Sequence, residues 1–142
     1  MTMLAKRLFA YAWAAPWSAL GLAFGMVAWL LGARAQIHDG ALEFGGGRVG
    51  AVLSGLPGGL GFSAITFVHV ILGLDHATLA QCRAHEQAHV RQYERWGPFF
   101  IPAYLLSSLA QLVRGRRPYR DNFFEREAYE CCPAAGGRRI RV

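Results

Sequence analysis

His85-Glu86-Gln87-Ala88-His89 places two imidazoles and a carboxylate within five residues. On an α-helix, residues four apart lie about 40° apart around the axis, so both imidazoles project toward a common point that one tetrahedral zinc ion can share. Glu86 is rotated by about 100° from His85 and reaches a water at the open position of such an ion as a general base. Zinc there lowers the pKa of water from roughly 15.7 to about 7, which makes the run suited to hydrolysis near neutrality. Catalytic zinc usually has three protein ligands, so a third is expected from elsewhere in the chain.

Asn122 to Glu130 reads as a short helix, capped by Asp121 or Asn122 and closed by Pro133 and Gly136-Gly137. Together with the HExxH run it resembles the gluzincin class of zinc metallopeptidases, in which a glutamate ligand follows on a later helix, often as E-x-x-A-D. Glu125-Arg126-Glu127-Ala128-Tyr129 matches that pattern with Glu125 as ligand and Ala128 in register. The resemblance implies a zinc ion held by His85, His89 and Glu125, with Glu86 activating water against a peptide carbonyl. Tyr129 departs from it, standing where the family places an aspartate that supports a zinc histidine. That leaves Glu43, Glu127 or a backbone carbonyl for the task. Asn122-x-x-Glu125 also fits a capping box, in which Glu125 bonds back to its own helix and Glu127 becomes the third ligand. A donor for a tetrahedral oxyanion is expected, and Tyr93, Tyr119 and Tyr129 are candidates that no spacing separates.

The segment Ala84 to Gly97, followed by Pro98 and an apolar helix to Leu112, looks like small membrane-associated bacterial proteins of the same zincin type, over the last two thirds of the chain. The metzincin variant is set aside, because Gln92 and Arg95 stand where it needs glycine and histidine. His38, His69 and His76 lack ligand spacing and read as structural.

These residues need elements to hold them. Leu8 to Ala33 carries no charge and Leu20 to Leu31 is almost wholly apolar, so a helix rising about 1.5 Å per residue covers a hydrocarbon core of about 30 Å. Trp13, Trp17 and Trp29 suit its interfaces. Lys6-Arg7 before it and Ala33-Arg34-Ala35 after it also fit a cleaved signal peptide, with secretion as the result. The uncharged run exceeds the usual apolar region of about 7 to 15 residues, which favours a retained single-pass anchor. Charges flanking the anchor favour an external domain, whereas Cys82, Cys131 and Cys132, without CxxC spacing, suggest no oxidised framework. The side of the membrane stays open.

Beyond the anchor, Asp39-Gly40 suits a tight turn between strands at 35–38 and 41–44. Val49 to Leu53 is a short apolar piece among glycines. Phe62 to Leu72 reads as one buried strand leading to an Asp75 helix cap, with a second membrane span over 52–74 as the alternative. Phe99 to Val113 reads as an apolar helix, short for a full span. The formal charge is +6 and Lys6 is the only lysine. Arg114, Arg116, Arg117 and Arg120 cluster between two helices, and Arg138, Arg139 and Arg141 crowd the C-terminal segment. No nucleic-acid-reading motif accompanies them, and beside an apolar anchor they suit anionic lipid.

The expected fold is α+β: an anchor at 1–33, a minimal zincin-like domain at 34–132 with a small sheet or hairpin, and a basic tail at 133–142. The expected function is membrane-anchored, zinc-dependent hydrolysis of a peptide or protein substrate, with membrane lipid as a partner, no nucleic acid, and room for a homo-oligomer. The alternative is a non-catalytic, metal-stabilised interaction protein whose basic face engages lipid or a partner. Its closed zinc site would need a fourth donor such as Glu127 or Cys131.

Overall fold

Strand pairing begins at Asp39-Gly40, where φ is 49° and 82°, the paired positive values of a type I′ hairpin turn. The structure, a computed structural model, describes residues 3–55 and 63–131. The turn joins β1 (Arg34–His38) antiparallel to β2 (Ala41–Gly45). The apolar piece after it forms a short helix, α2 (Val49–Ser54). β3 (Ala64–Phe67) and β4 (Val70–Gly73) pair antiparallel, and β4 also runs parallel to β2, giving the order β1-β2-β4-β3.

The run expected as one strand over Phe62 to Leu72 is therefore a hairpin, and strands at 64–67 and 70–73 leave no helical span there. Its turn hides in the sequence because it uses Val68 at a φ of 55°, a left-handed conformation that a β-branched residue adopts at a cost. Packing holds it there: Val68 is fully buried against Tyr93, Phe100 and Phe124, and the neighbouring His69 carbonyl accepts from Leu42 N at 2.7 Å.

Strand alternation gives the sheet two unlike faces. Leu42, Phe44, Ile65, Phe67, Val70 and Leu72 gather on one. Ala41, Ala64 and Ile71 lie on the other, together with Glu43 and Thr66, which bond to the helix across from them. Helix α1 (Met3–Leu30) covers the apolar face. It docks through Gly21 and Gly25, where a Cβ would lie 2.8 Å from the Phe67 carbonyl oxygen and 2.6 Å from the Phe44 ring, and through buried Ala28. Helix α3 (His76–Trp96) covers the second face, started by Asp75, whose carboxylate accepts from Thr78 N at 2.7 Å.

A 3-10 turn at Gly97–Phe99 leads into α4 (Phe100–Val113). Gly97 has a φ of 54° and Trp13 occupies the space where its Cβ would point, while Trp17 donates to the Pro98 carbonyl at 3.2 Å. The first half of α1 thus braces the corner between α3 and α4. Helix α5 (Phe123–Glu130) completes the described chain, which is α+β with a four-stranded sheet.

The membrane expectation needs one correction. Among the described residues, the helical run long and apolar enough to cross a bilayer is internal, His76–Val113, whereas Trp17–Leu30 counts as a shorter apolar stretch. That run qualifies by length and composition alone, and it is interrupted by the 3-10 turn at Gly97–Phe99. Arg138, Arg139, Arg141 and Cys132 lie outside the described residues. Neither Cys82 nor Cys131 is in a disulfide.

Candidate metal centre

α3 is helical throughout the HExxH run, so His85 and His89 share a face as their spacing requires. Their rings meet edge to face with centroids 4.8 Å apart, and the two Nε2 atoms are 3.2 Å apart. Glu125 comes from α5 to meet them. Its Oε2 is 3.2 Å from His85 Nε2 and its Oε1 is 3.4 Å from His89 Nε2. One donor atom from each of the three residues lies within 4.8 Å of the others, and all three residues are buried. Two imidazoles and a carboxylate converging in this way are a donor set that suits a divalent transition metal.

α4 and the start of α5 place the glutamate. Fully buried Asn122 caps α5 by accepting from Phe124 N at 2.9 Å and donates to the Tyr104 carbonyl at 3.0 Å and to Ser108 Oγ at 2.7 Å. Ser107 Oγ accepts from Phe123 N. The cap closes on Phe124 and its own N–H goes to Tyr119 O, so the expected capping-box role for Glu125 is not the one taken. Tyr104, which no sequence signal marked, donates to Glu125 Oε1 at 2.6 Å. Burial works against the Glu125 charge, but hydrogen bonds from His85 and His89 and the His89 charge outweigh it, holding the carboxyl well below the usual carboxylate range.

Glu127, the alternative ligand, turns away from the histidines and accepts from Gln92 at 2.7 Å and Arg95 at 3.0 Å. It still acts on the site at one remove. The Gln92 amide nitrogen donates to Glu127 and to the Phe124 carbonyl, which leaves its oxygen to accept from His89 Nδ1 at 2.8 Å. That fixes a proton on His89 Nδ1 and points Nε2 at Glu125 and His85. Gln92, at 1% exposure, therefore supports a histidine as the missing aspartate would. It lies three residues beyond His89 on the same helix face, a spacing visible in the sequence but not singled out there. Glu43 serves elsewhere, in a two-pronged ion pair with Arg83 at 2.8 and 3.0 Å.

Tyr129 packs its ring on His85, with centroids 4.6 Å apart, and His85 Nδ1 has no hydrogen-bond partner among the described residues. Glu86 is buried beside the cluster, and its Oε2 accepts from Thr66 Oγ1 at 2.6 Å. A cavity of about 220 Å³ opens here, bounded by β3, Glu86, His89, Glu125 and the aromatic side chains of α3 and α4. Tyr93 and Tyr119 line it and Tyr129 does not. The Tyr93 hydroxyl donates to the Thr66 carbonyl at 3.3 Å. His38 and His69 pair with Gln36 and Glu94, away from the cluster.

Fold and site together define an α+β protein with a buried His-His-Glu cluster and a second carboxylate beside it. Comparison with known proteins finds no match: no family model, no curated protein and no solved structure.

Proposed function

We propose that this protein is a membrane-anchored zinc metallopeptidase of the gluzincin type. The observation that carries the reading is the convergence of His85, His89 and Glu125 with Glu86 buried beside them. Among the described residues no fourth side chain joins the cluster: Glu127 is held by Gln92 and Arg95, and Cys131 is exposed. A site with three protein donors keeps a coordination position open, as catalytic zinc sites do and structural ones do not.

Zinc held by these residues would act as a Lewis acid on a carbonyl oxygen and acidify water near it. The chain's own groups do the rest. Thr66 holds Glu86 Oε2, leaving Oε1 to take a proton from the attacking water. The water oxygen bonds to the carbonyl carbon, the C–N bond breaks, and Glu86 returns the proton to the departing amine. Tyr93 and Tyr119 line the cavity and are the candidate O–H donors for the oxyanion. Membrane association is supported by the exposed apolar side chains Leu22, Met26, Val27, Trp29 and Leu30 of α1.

Elemental analysis of the detergent-purified chain tests the metal. One zinc per chain is expected in the unmutated protein and none in His89→Ala or Glu125→Ala. Glu86→Gln should keep the zinc and lose hydrolysis by roughly 10² to 10⁴-fold. No zinc in the unmutated protein overturns the reading in favour of a basic membrane adaptor, and full activity in Glu86→Gln overturns the role of the base. Acid should act through the histidines. Glu125, its pKa lowered from the ordinary 4.5, stays ionised in the folded protein well below that value, and the stability it contributes above 4.5 is lost progressively as the pH falls from there toward the lowered pKa. Burial works against the His89 charge, but the hydrogen bond to Glu125 and its charge outweigh it and raise the His89 pKa above the ordinary 6.5, so zinc affinity should fall by up to about tenfold per pH unit once the pH drops below that raised value.

A further inference from the structure

We propose that the substrate is an extended, apolar segment of another membrane protein, which reaches the site sideways from the bilayer between β3 and α4. The proposal rests on the peptidase reading and names the substrate class for the same site.

The argument starts from which way the helices face. α1 puts its smallest residues on the sheet and leaves Leu22, Met26, Val27, Trp29 and Leu30 each more than half exposed. α4 does likewise with Leu105, Leu106, Leu109, Leu112 and Val113. On α1 small residues face inward and bulky apolar residues outward, the packing of helices in lipid, and apolar exposure as extensive as that of α1 and α4 marks contact with a membrane or a partner. Arg114, Arg116, Arg117 and Arg120 follow α4, all exposed, and supply the charge that anionic headgroups attract.

These two faces meet at the cavity. On one flank Phe24, on the outer side of α1, stacks on Phe67 of the cavity wall with centroids 4.9 Å apart. On the other, Ile101 and Tyr104 line the cavity from α4, whose next turn carries the exposed Leu105. Arg114 follows Tyr104 by ten residues, about 15 Å of helix. With the arginines among the headgroups, the mouth of the cavity opens to acyl chains.

Backbone chemistry selects a peptide strand over lipid as the occupant. Among the described residues β3 is the last strand of the sheet and pairs only with β4, so its outer edge offers main-chain groups along the cavity wall, with the Thr66 carbonyl already accepting from the Tyr93 hydroxyl. A segment unwound in hydrocarbon must find such partners, since each unpaired backbone group costs several kcal/mol there. Ile65, Phe67, Phe100 and Ile101 give its side chains apolar walls. A polar peptide would leave water for those walls with nothing to replace its hydration.

The test uses the full zinc-loaded chain in vesicles of phosphatidylcholine and phosphatidylglycerol. One probe peptide carries a single apolar span of about 20 residues, and a second, of equal length, is polar and added in the aqueous phase. Cleavage inside the span at least about tenfold faster than cleavage of the polar peptide is expected, a difference of roughly 1.4 kcal/mol. In parallel, the Glu86→Gln chain with a photo-crosslinking residue at Ile101 should capture the span peptide and not the polar one. Equal or faster cleavage of the polar peptide overturns entry from the bilayer and leaves the peptidase reading intact. Capture of the span peptide without cleavage by the unmutated chain overturns the peptidase reading and leaves the binding surface standing. Neither capture nor cleavage overturns both.

Discussion

Helix α1 meets one face of the sheet through Gly21, Gly25 and Ala28, against the apolar side chains Phe44, Phe67 and Val70. Helix α3 meets the other face through Glu43 with Arg83 and Glu86 with Thr66, and carries His85, His89 and Gln92 into the contact with α5. On the first face the fit is one of shape, and the glycines let helix and strands approach to contact. On the second, the buried groups are held by directed bonds, each needing a particular partner. The contrast shows why the chemistry lies where it does: an apolar face can seat a helix, but only the bonded face can aim donors at one point.

Four substitutions would sharpen or break that contrast. Arg83→Met leaves the fully buried Glu43 carboxylate without its partner, and a loss of about 3 to 5 kcal/mol is expected in denaturant titration. Gly25→Leu drives a side chain into the Phe44 ring. Roughly 2 to 3 kcal/mol should be lost on that face, read as a lower melting temperature with zinc content unchanged; a loss of zinc would show that the two faces are coupled. Gln92→Leu removes the acceptor at His89 Nδ1 and should weaken zinc binding by about tenfold or more, measured by competition with a chelator. Leu109→Ser, on the exposed face of α4, should change stability in detergent by less than about 0.5 kcal/mol. It should instead reduce binding of the protein to vesicles, and a large loss of stability in detergent would place α4 inside a protein core.

Much of the second face was legible in sequence because its signals are local. HExxH forces two histidines together through helix geometry alone, Asp75 and Asn122 announce helix starts by their side-chain chemistry, and Asp39-Gly40 announces a turn through its tolerance of positive φ. Thr66, Gln92 and Tyr104 were not singled out, because a threonine in a strand, a glutamine on a helix and a tyrosine in an apolar run each have ordinary structural uses. The hairpin at Val68 was misread as continuous strand, since a β-branched residue gives no local warning of a left-handed turn that tertiary packing imposes.

The sequence by itself determined the long helices, the Asp39-Gly40 hairpin and the pairing of His85 with His89, because helix period, capping and turn chemistry depend on residues within a few positions of one another. Only the tertiary structure decided that Glu125 and not Glu127 reaches the histidines, that Gln92 takes the supporting role, and that α1 docks with its glycines inward. Those outcomes depend on where α4 and its serines hold α5, and on how closely a helix can approach a sheet. Such distances are set by residues far apart in the chain, and no local pattern encodes them.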